Sequence, residues 1–263
     1  MRPFTAAFQS RERDVNKLRV LDLFSGIGGF SLGLERTGGF ETVAFCEIDP
    51  FARSILKKHW PHVPCHNDVQ TMEFPNADAI AAGFPCQDIS SAGKRAGITG
   101  ERSGLWREVV RAVCVVRPVR VLLENVAALL VRGMGTVLGD LAEVGYDAEW
   151  DCIPASGIGA WHGRDRIWIT AYPERNEQPR KEPRLWSIGR VGRVVEPFPW
   201  DGTWQDSLAA LRRESDGLSR SVDRTDCLRN AVVPQIPEII GRAILAHVSA
   251  PAQSEQEKTE LGS

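Results

Sequence analysis

The stretch GFPCQDIS (Gly83–Ser90) carries a cysteine on a loop that Gly83 and Pro85 stiffen and expose, which makes Cys86 a candidate nucleophile. A free thiol is only slightly ionised at neutral pH, so it needs nearby positive charge or a helix terminus to act. Two other stretches supply suitable company. LLENV brings Glu124, and an acid buried there would hold its proton more tightly than in water and could donate it. WHGRDRIWIT brings Arg164 and Arg166. A second group points to a ligand instead. DLFSGIGGF has glycines that let backbone approach a bound molecule closely. About twenty residues later comes Glu47, a position from which a carboxylate accepts hydrogen bonds from ribose hydroxyls. Asp68 could accept from an adenine amine. The turn reads G-x-G-G rather than G-x-G-x-x-G, which favours a nucleoside-type cofactor over a dinucleotide. A tight βα turn followed by a solvated glutamate would give the same pattern.

These pieces need elements to hold them. Apolar runs at LRVLDLF (Leu18–Phe24), TVAFCEI (Thr42–Ile48), DAIAAGF (Asp78–Phe84) and VRVLLENV (Val119–Val126) read as central strands, the first as a continuous apolar one. Helical stretches separate them, among them PFARSILKKHW, with Pro50 at its start, and LWREVVRAVCVV. Another helix around Met134–Val144 leads to late strands near Ala148–Pro154 and Arg166–Tyr172. This alternation predicts an α/β fold with a mostly parallel sheet covered by helices on both faces. Ligands of such sheets bind beyond the carboxyl ends of the strands, where the glycine turn, Cys86 and Glu124 all fall. After Tyr172 the rhythm stops, and Glu174–Asp226 is rich in Pro, Gly, Arg and Trp without a clean period. Helical spacing returns at Pro234–Val248, with Ile239, Ile240, Ile244 and Leu245 on an apolar face.

Composition excludes several classes. The six cysteines form no CxxC pair, which argues against zinc and a disulfide framework and predicts that most are small core hydrophobes. No apolar run approaches the roughly 18 residues that span a bilayer, and the first residues lack a secretory pattern, so a soluble cytoplasmic protein is expected. The net charge of −2 is not the footprint of a non-specific nucleic-acid binder. Within it, Arg175, Arg180, Lys181, Arg184, Arg190 and Arg193 lie close together, as a solvated loop or a phosphate-facing surface.

Taken in order, DLFSGIGGFSLGLE, CEID, HNDV, GFPCQDISSAGKRAG, LLENV, HGRDR and NAVVPQ resemble the successive motifs of the DNA cytosine-5 methyltransferase family. The resemblance runs from about Leu18 to Ala246, with a break at Glu174–Leu228. It implies a Rossmann-like, S-adenosyl-L-methionine-dependent methyltransferase fold, no metal, and double-stranded DNA as partner. Cys86 would add to C6 of a flipped-out cytosine, Glu124 would hold N3, Arg164 would contact O2, and Arg166 would support that site from behind. Phe24, Gly26, Gly28, Glu47, Ile48, Asp68, Pro85, Leu105 and Asn230 would line the cofactor pocket. Gln87–Ser103, with Gly93, Gly97 and Gly100, would close over the base. The domain plan is then a catalytic unit at 18–173, a small target-recognition region at 174–228 and a returning helix at 229–248. The termini, 1–17 and 249–263, are expected to be flexible. A monomer is expected, acting with a cognate restriction endonuclease or alone.

Three departures stand out. His162-Gly163-Arg164-Asp165-Arg166 replaces the common Q-x-R-x-R but keeps both arginines. Arg229 stands where glycine is usual before Asn230, and weaker cofactor binding is the expected consequence. The recognition region is short, and Trp186, Trp200 and Trp204 would serve it either as base-stacking groups or as its core. A catalytically weak DNA-binding homologue and an RNA cytosine-5 methyltransferase are the alternatives that share these motifs.

Overall fold

A computed structural model of the chain describes residues 17–85, 104–155, 165–174 and 231–249. Cys86, Arg164, Arg229, Asn230, the Gln87–Ser103 segment, residues 175–228 and the terminal segments 1–16 and 250–263 lie outside the described residues. The described elements run β1 (Leu18–Leu23), α1 (Gly29–Arg36), β2 (Phe40–Cys46), α2 (Pro50–His59), β3 (Cys65–His66) and β4 (Ala79–Ala82). They continue as α3 (Gly104–Val116), β5 (Arg120–Val126), α4 (Leu129–Arg132), α5 (Met134–Glu143), β6 (Tyr146–Pro154), β7 (Asp165–Pro173) and α6 (Gln235–Ser249).

The seven strands form one sheet in the order β3-β2-β1-β4-β5-β7-β6. Every neighbouring pair from β3 to β5 is parallel, and β7 alone runs antiparallel, to both β5 and β6. This is the mostly parallel α/β sheet that the alternating apolar runs predict. The reversal of β7 matters for chemistry, because its first residues reach the same edge as the last residues of β5. Val126 pairs with Arg166 and Glu124 with Trp168.

Side chains alternate across a strand, so each strand feeds two cores. On one face Leu21, Leu23, Ile80, Val121 and Leu123 pack with Trp106, Val109 and Val113 of α3 and Val137 and Leu141 of α5. On the other, Val20, Ala79, Ala81, Leu122 and Trp168 pack with Phe30 and Leu34 of α1 and Ile236, Ile240 and Ile244 of α6. Both faces are covered, which is why the central strands read as unbroken apolar runs.

Two local features differ from that reading. β1 stops at Leu23 rather than Phe24, because Phe24 has a left-handed backbone (φ 54) that cannot continue a strand. Nor is the run wholly apolar: Asp22 is completely buried within it. α2 is set by Asp49, whose carboxylate accepts the Ala52 N–H at 2.7 Å, with proline at the first turn. α6 returns from far along the chain to a seat on α1. A Cβ at Gly29 would lie 2.3 Å from the Val232 carbonyl oxygen, and one at Gly33 would lie 2.1 Å from that of Pro234. Residues of α1 four apart share a face, so the two glycines make one groove for the 232–234 backbone.

Candidate active site

β1 and β4 are neighbours, yet the chain leaves β1 toward β2 and β3 and resumes on the other side with β4 and β5. Such a reversal of strand order opens a crevice at the carboxyl edge of an α/β sheet. The turn after β1 occupies it. Gly26 and Gly28 both have positive φ, and Gly28 is the left-handed N-cap of α1. Glu47, just past β2, grips this turn. One carboxylate oxygen accepts the Gly26 N–H at 2.7 Å and the other accepts the Asp49 N–H at 2.8 Å. Ser25 closes the base of the turn, its hydroxyl donating to the Asp22 carbonyl at 2.7 Å.

Beside Glu47 an isoleucine is turned outward. Ile48 is 77% exposed, an apolar surface standing next to a fixed carboxylate. Asp68 follows β3 half-buried, with one oxygen accepting the Gln70 N–H at 2.9 Å. A Cβ at Gly26 would meet nothing within 4 Å, so the turn has open space on that side.

Across the crevice lie residues 83–85, which lead to Cys86, and the end of β5. Phe84 is buried against Trp106 (ring centroids 4.9 Å apart), the residue that follows Leu105, while Pro85 is exposed. Asn125, itself buried, donates from its side-chain amide to the Phe84 carbonyl at 2.9 Å and so ties the loop to β5. Glu124 is 8% exposed, and the Arg166 Nε donates to its Oε1 at 2.8 Å. The guanidinium supplies the positive charge that a buried carboxylate requires. Glu124 also borders the loop, since a Cβ on Gly83 would lie 3.6 Å from its Oε2.

Phe24, Gly26, Gly28, Glu47, Ile48, Asp68, Pro85, Leu105, Glu124 and Arg166 thus belong to elements that end or begin at this sheet edge, with Glu124 and Arg166 in direct contact. Cys86, Arg164 and Asn230 lie outside the described residues, each next to one that is described: Pro85, Asp165 and Ala231. Among the described thiols only Cys46 is buried. Cys65 and Cys152, on the edge strands β3 and β6, are half-buried and Cys114 on α3 is exposed, so the expectation that most are core hydrophobes does not hold for them. Burial pushes the Cys46 thiol up to about 12, with Glu47 and Asp68 adding to the effect, and burial also raises Cys65 and Cys152. Asn125 was missed as a positioning group although it sits inside the ENV stretch. Its signal was a lone amide at the end of an apolar strand.

Comparison with known proteins adds a family. The sequence model described as "C-5 cytosine-specific DNA methylase" matches residues 18–197, more than half of the chain. "Type II methyltransferase M2.BsuMI" of Bacillus subtilis is 38% identical over 163 residues, 59% of this chain and 42% of that protein. "Type II methyltransferase M1.ScrFI" of Lactococcus lactis subsp. cremoris is 34% identical over 205 residues, 74% of this chain and 52% of that protein. The chain spans about half the length of the curated relatives it matches. Among solved structures, the S. pombe Dnmt2 methyltransferase superposes with a TM-score of 0.54 at 22% identity, over 71% of this chain and 58% of that one. A mutant of Spodoptera frugiperda DNMT2 gives 0.52 at 24% identity, over 64% and 54%. At those identities the likeness is one of fold.

Proposed function

Because the chain belongs to the C-5 cytosine-specific DNA methylase family, we propose that it methylates C5 of cytosine in duplex DNA, with S-adenosylmethionine as methyl donor and Cys86 as covalent nucleophile. One observation carries this reading: the Glu47-held glycine turn and the Glu124–Arg166 pair stand at one sheet edge, on two sides of the crevice between β1 and β4. The residues fit the donor. Glu47 suits ribose hydroxyls, exposed Ile48 offers an apolar face to a purine, and the glycine turn leaves room for the remainder. Phe24, Asp68, Pro85, Leu105 and Asn230 would complete the pocket. When bound, the donor supplies an electrophilic methyl group on a sulfonium.

The chain's own residues do the rest. C5 and C6 of a stacked cytosine are unreachable, so the base must leave the duplex. The Cys86 thiolate forms a bond to C6, and the C5–C6 π pair moves to C5 and makes it nucleophilic. Glu124, entering the step protonated, delivers its carboxyl proton to N3 as that charge develops, becomes the carboxylate that Arg166 pairs with, and takes the proton back later. Arg166 fixes the orientation of Glu124, while Arg164 contacts O2 and favours the thiolate. After C5 gains its methyl, loss of the C5 proton returns a pair to the ring, breaks the C6–S bond and frees Cys86. Asn125 holds the Phe84 carbonyl, keeping the nucleophile's loop in register with Glu124. Residues 174–228 would choose the cytosine. The relatives' names suggest a restriction-modification setting, beside a cognate endonuclease or alone.

Labelled S-adenosylmethionine offered with duplex DNA or tRNA tests the proposal. We expect label on DNA cytosines in the wild type and none with Cys86→Ser. Label in RNA alone would overturn the substrate. Retained cofactor binding with no label in either would make the chain a binding homologue.

A further inference from the structure

The glycine turn has a second anchor besides Glu47. Trp60 follows the last turn of α2, and its indole lies against Gly28. A Cβ on Gly28 would sit 2.6 Å from the ring's Cζ3 and 2.8 Å from its Cη2, closer than real Cβ contacts come. Gly28 also has φ 87, so it is confined both by its backbone and by the ring beneath it.

The ring itself is held from two sides. Its Nε1–H donates to Glu35 Oε2 at 2.8 Å, and its edge meets Phe45 with centroids 5.2 Å apart. The other oxygen of Glu35 accepts the Thr42 N–H at 3.0 Å. One indole therefore joins the end of α1, the end of β2 and the end of α2, and presses on the turn two residues from the N–H that Glu47 holds.

We propose that Trp60 is a positioning residue for the cofactor site: its indole, oriented by Glu35, sets the Gly26–Gly28 turn at the height at which Glu47 and the turn can share one ligand. The inference rests on the cofactor reading given above.

The test uses the full chain and S-adenosylmethionine itself, with Kd by calorimetry, KM and kcat by label transfer, and melting temperature as a control. Trp60→Phe keeps a ring but loses the Nε1–H, and we expect Kd and KM to rise about fivefold, with kcat within about twofold of wild type. Gly28→Ala should weaken binding by about a hundredfold or more. Adding Trp60→Leu to Gly28→Ala should recover about tenfold of that loss, because the clash with the ring goes while the 3.0 Å approach of Leu56 Cδ2 and the left-handed strain stay. A double variant that binds no better than Gly28→Ala, or a Trp60→Phe protein with lowered melting temperature and unchanged Kd, overturns the role of Trp60. A wild type that does not bind S-adenosylmethionine overturns the cofactor reading instead, and the inference with it.

Discussion

Asp22 is fully buried between α1 and the sheet, and burial pushes its carboxyl from an ordinary 3.8 up to about 8. The Ser31 hydroxyl donates to its Oδ2 at 2.7 Å and works against that rise, while the charges of Glu47 and Glu35 add to it. Among the described residues its Oδ1 has no hydrogen-bond partner. Between about pH 4 and 8 the folded protein therefore holds a proton that the unfolded chain releases. This contribution to stability is fully present below about pH 4 and is lost as pH rises through 8. Asp22→Asn carries no such proton. We expect its melting temperature to change less with pH across that window and to exceed the wild type's at pH 8 by roughly 5 °C. Parallel slopes for the two proteins would refute the assignment. Glu124 differs from Asp22 in having a guanidinium beside it. With the Arg166 and Glu124 side chains only 21% and 10% exposed, Arg166→Ala removes the guanidinium that donates to Glu124 Oε1 and should cost about 3 kcal/mol in denaturant unfolding. Arg166→Lys keeps the charge without the planar fork. It should recover most of the stability but leave single-turnover methyl transfer about tenfold slow; full recovery of rate would show that charge alone suffices.

The α1–α6 contact gives a prediction whose sign is diagnostic. Alanine in place of a helical glycine ordinarily stabilises by about 1 kcal/mol. At Gly33 the new Cβ would meet the Pro234 carbonyl oxygen at 2.1 Å, a backbone atom that cannot swing aside. Gly33→Ala should therefore destabilise by about 1–3 kcal/mol, read as a lower urea midpoint. A gain in stability would mean that α6 can shift without loss. The helices and strands themselves were legible because both faces of the sheet are covered, so that apolar runs mark β1, β2, β4 and β5 directly. The site was legible where short stretches end strands: SGIGG after β1, Glu47 after β2, ENV closing β5. The direction of β7 was not, since an apolar pattern reads the same both ways. Yet that reversal is what brings Arg166 to Glu124. Asn125 and Trp60 escaped notice for a related reason. Their partners, Phe84 and Glu35, lie 41 and 25 residues away, and nothing local signals such pairings. Asp22 was hidden inside an otherwise apolar run, where its burial depends on the packing of α1.

The α/β body is assembled from two separated pieces of chain. Among the described residues, those within 17–174 supply the sheet and helices α1 to α5, and residues 231–249 supply α6, which covers one face. Ile236, Ile240 and Ile244 of α6 are buried at 2%, 0% and 0% exposure. Burying side chains of this size contributes about 1.5–3 kcal/mol each, so the three together rival the roughly 5–15 kcal/mol by which a whole domain is stable. The 232–234 backbone moreover seats on Gly29 at the first turn of α1, directly beyond the Gly26–Gly28 turn. Two constructions separate the contributions. A chain ending at Asn230 lacks α6 and should lose cooperative unfolding and S-adenosylmethionine binding together. A chain in which residues 175–228 are replaced by a flexible linker keeps α6. It should melt cooperatively and bind S-adenosylmethionine within about threefold of wild type, yet fail to methylate duplex DNA. Cofactor binding that survived the first change, or disappeared with the second, would mean that residues 175–228 and not α6 complete the α/β body.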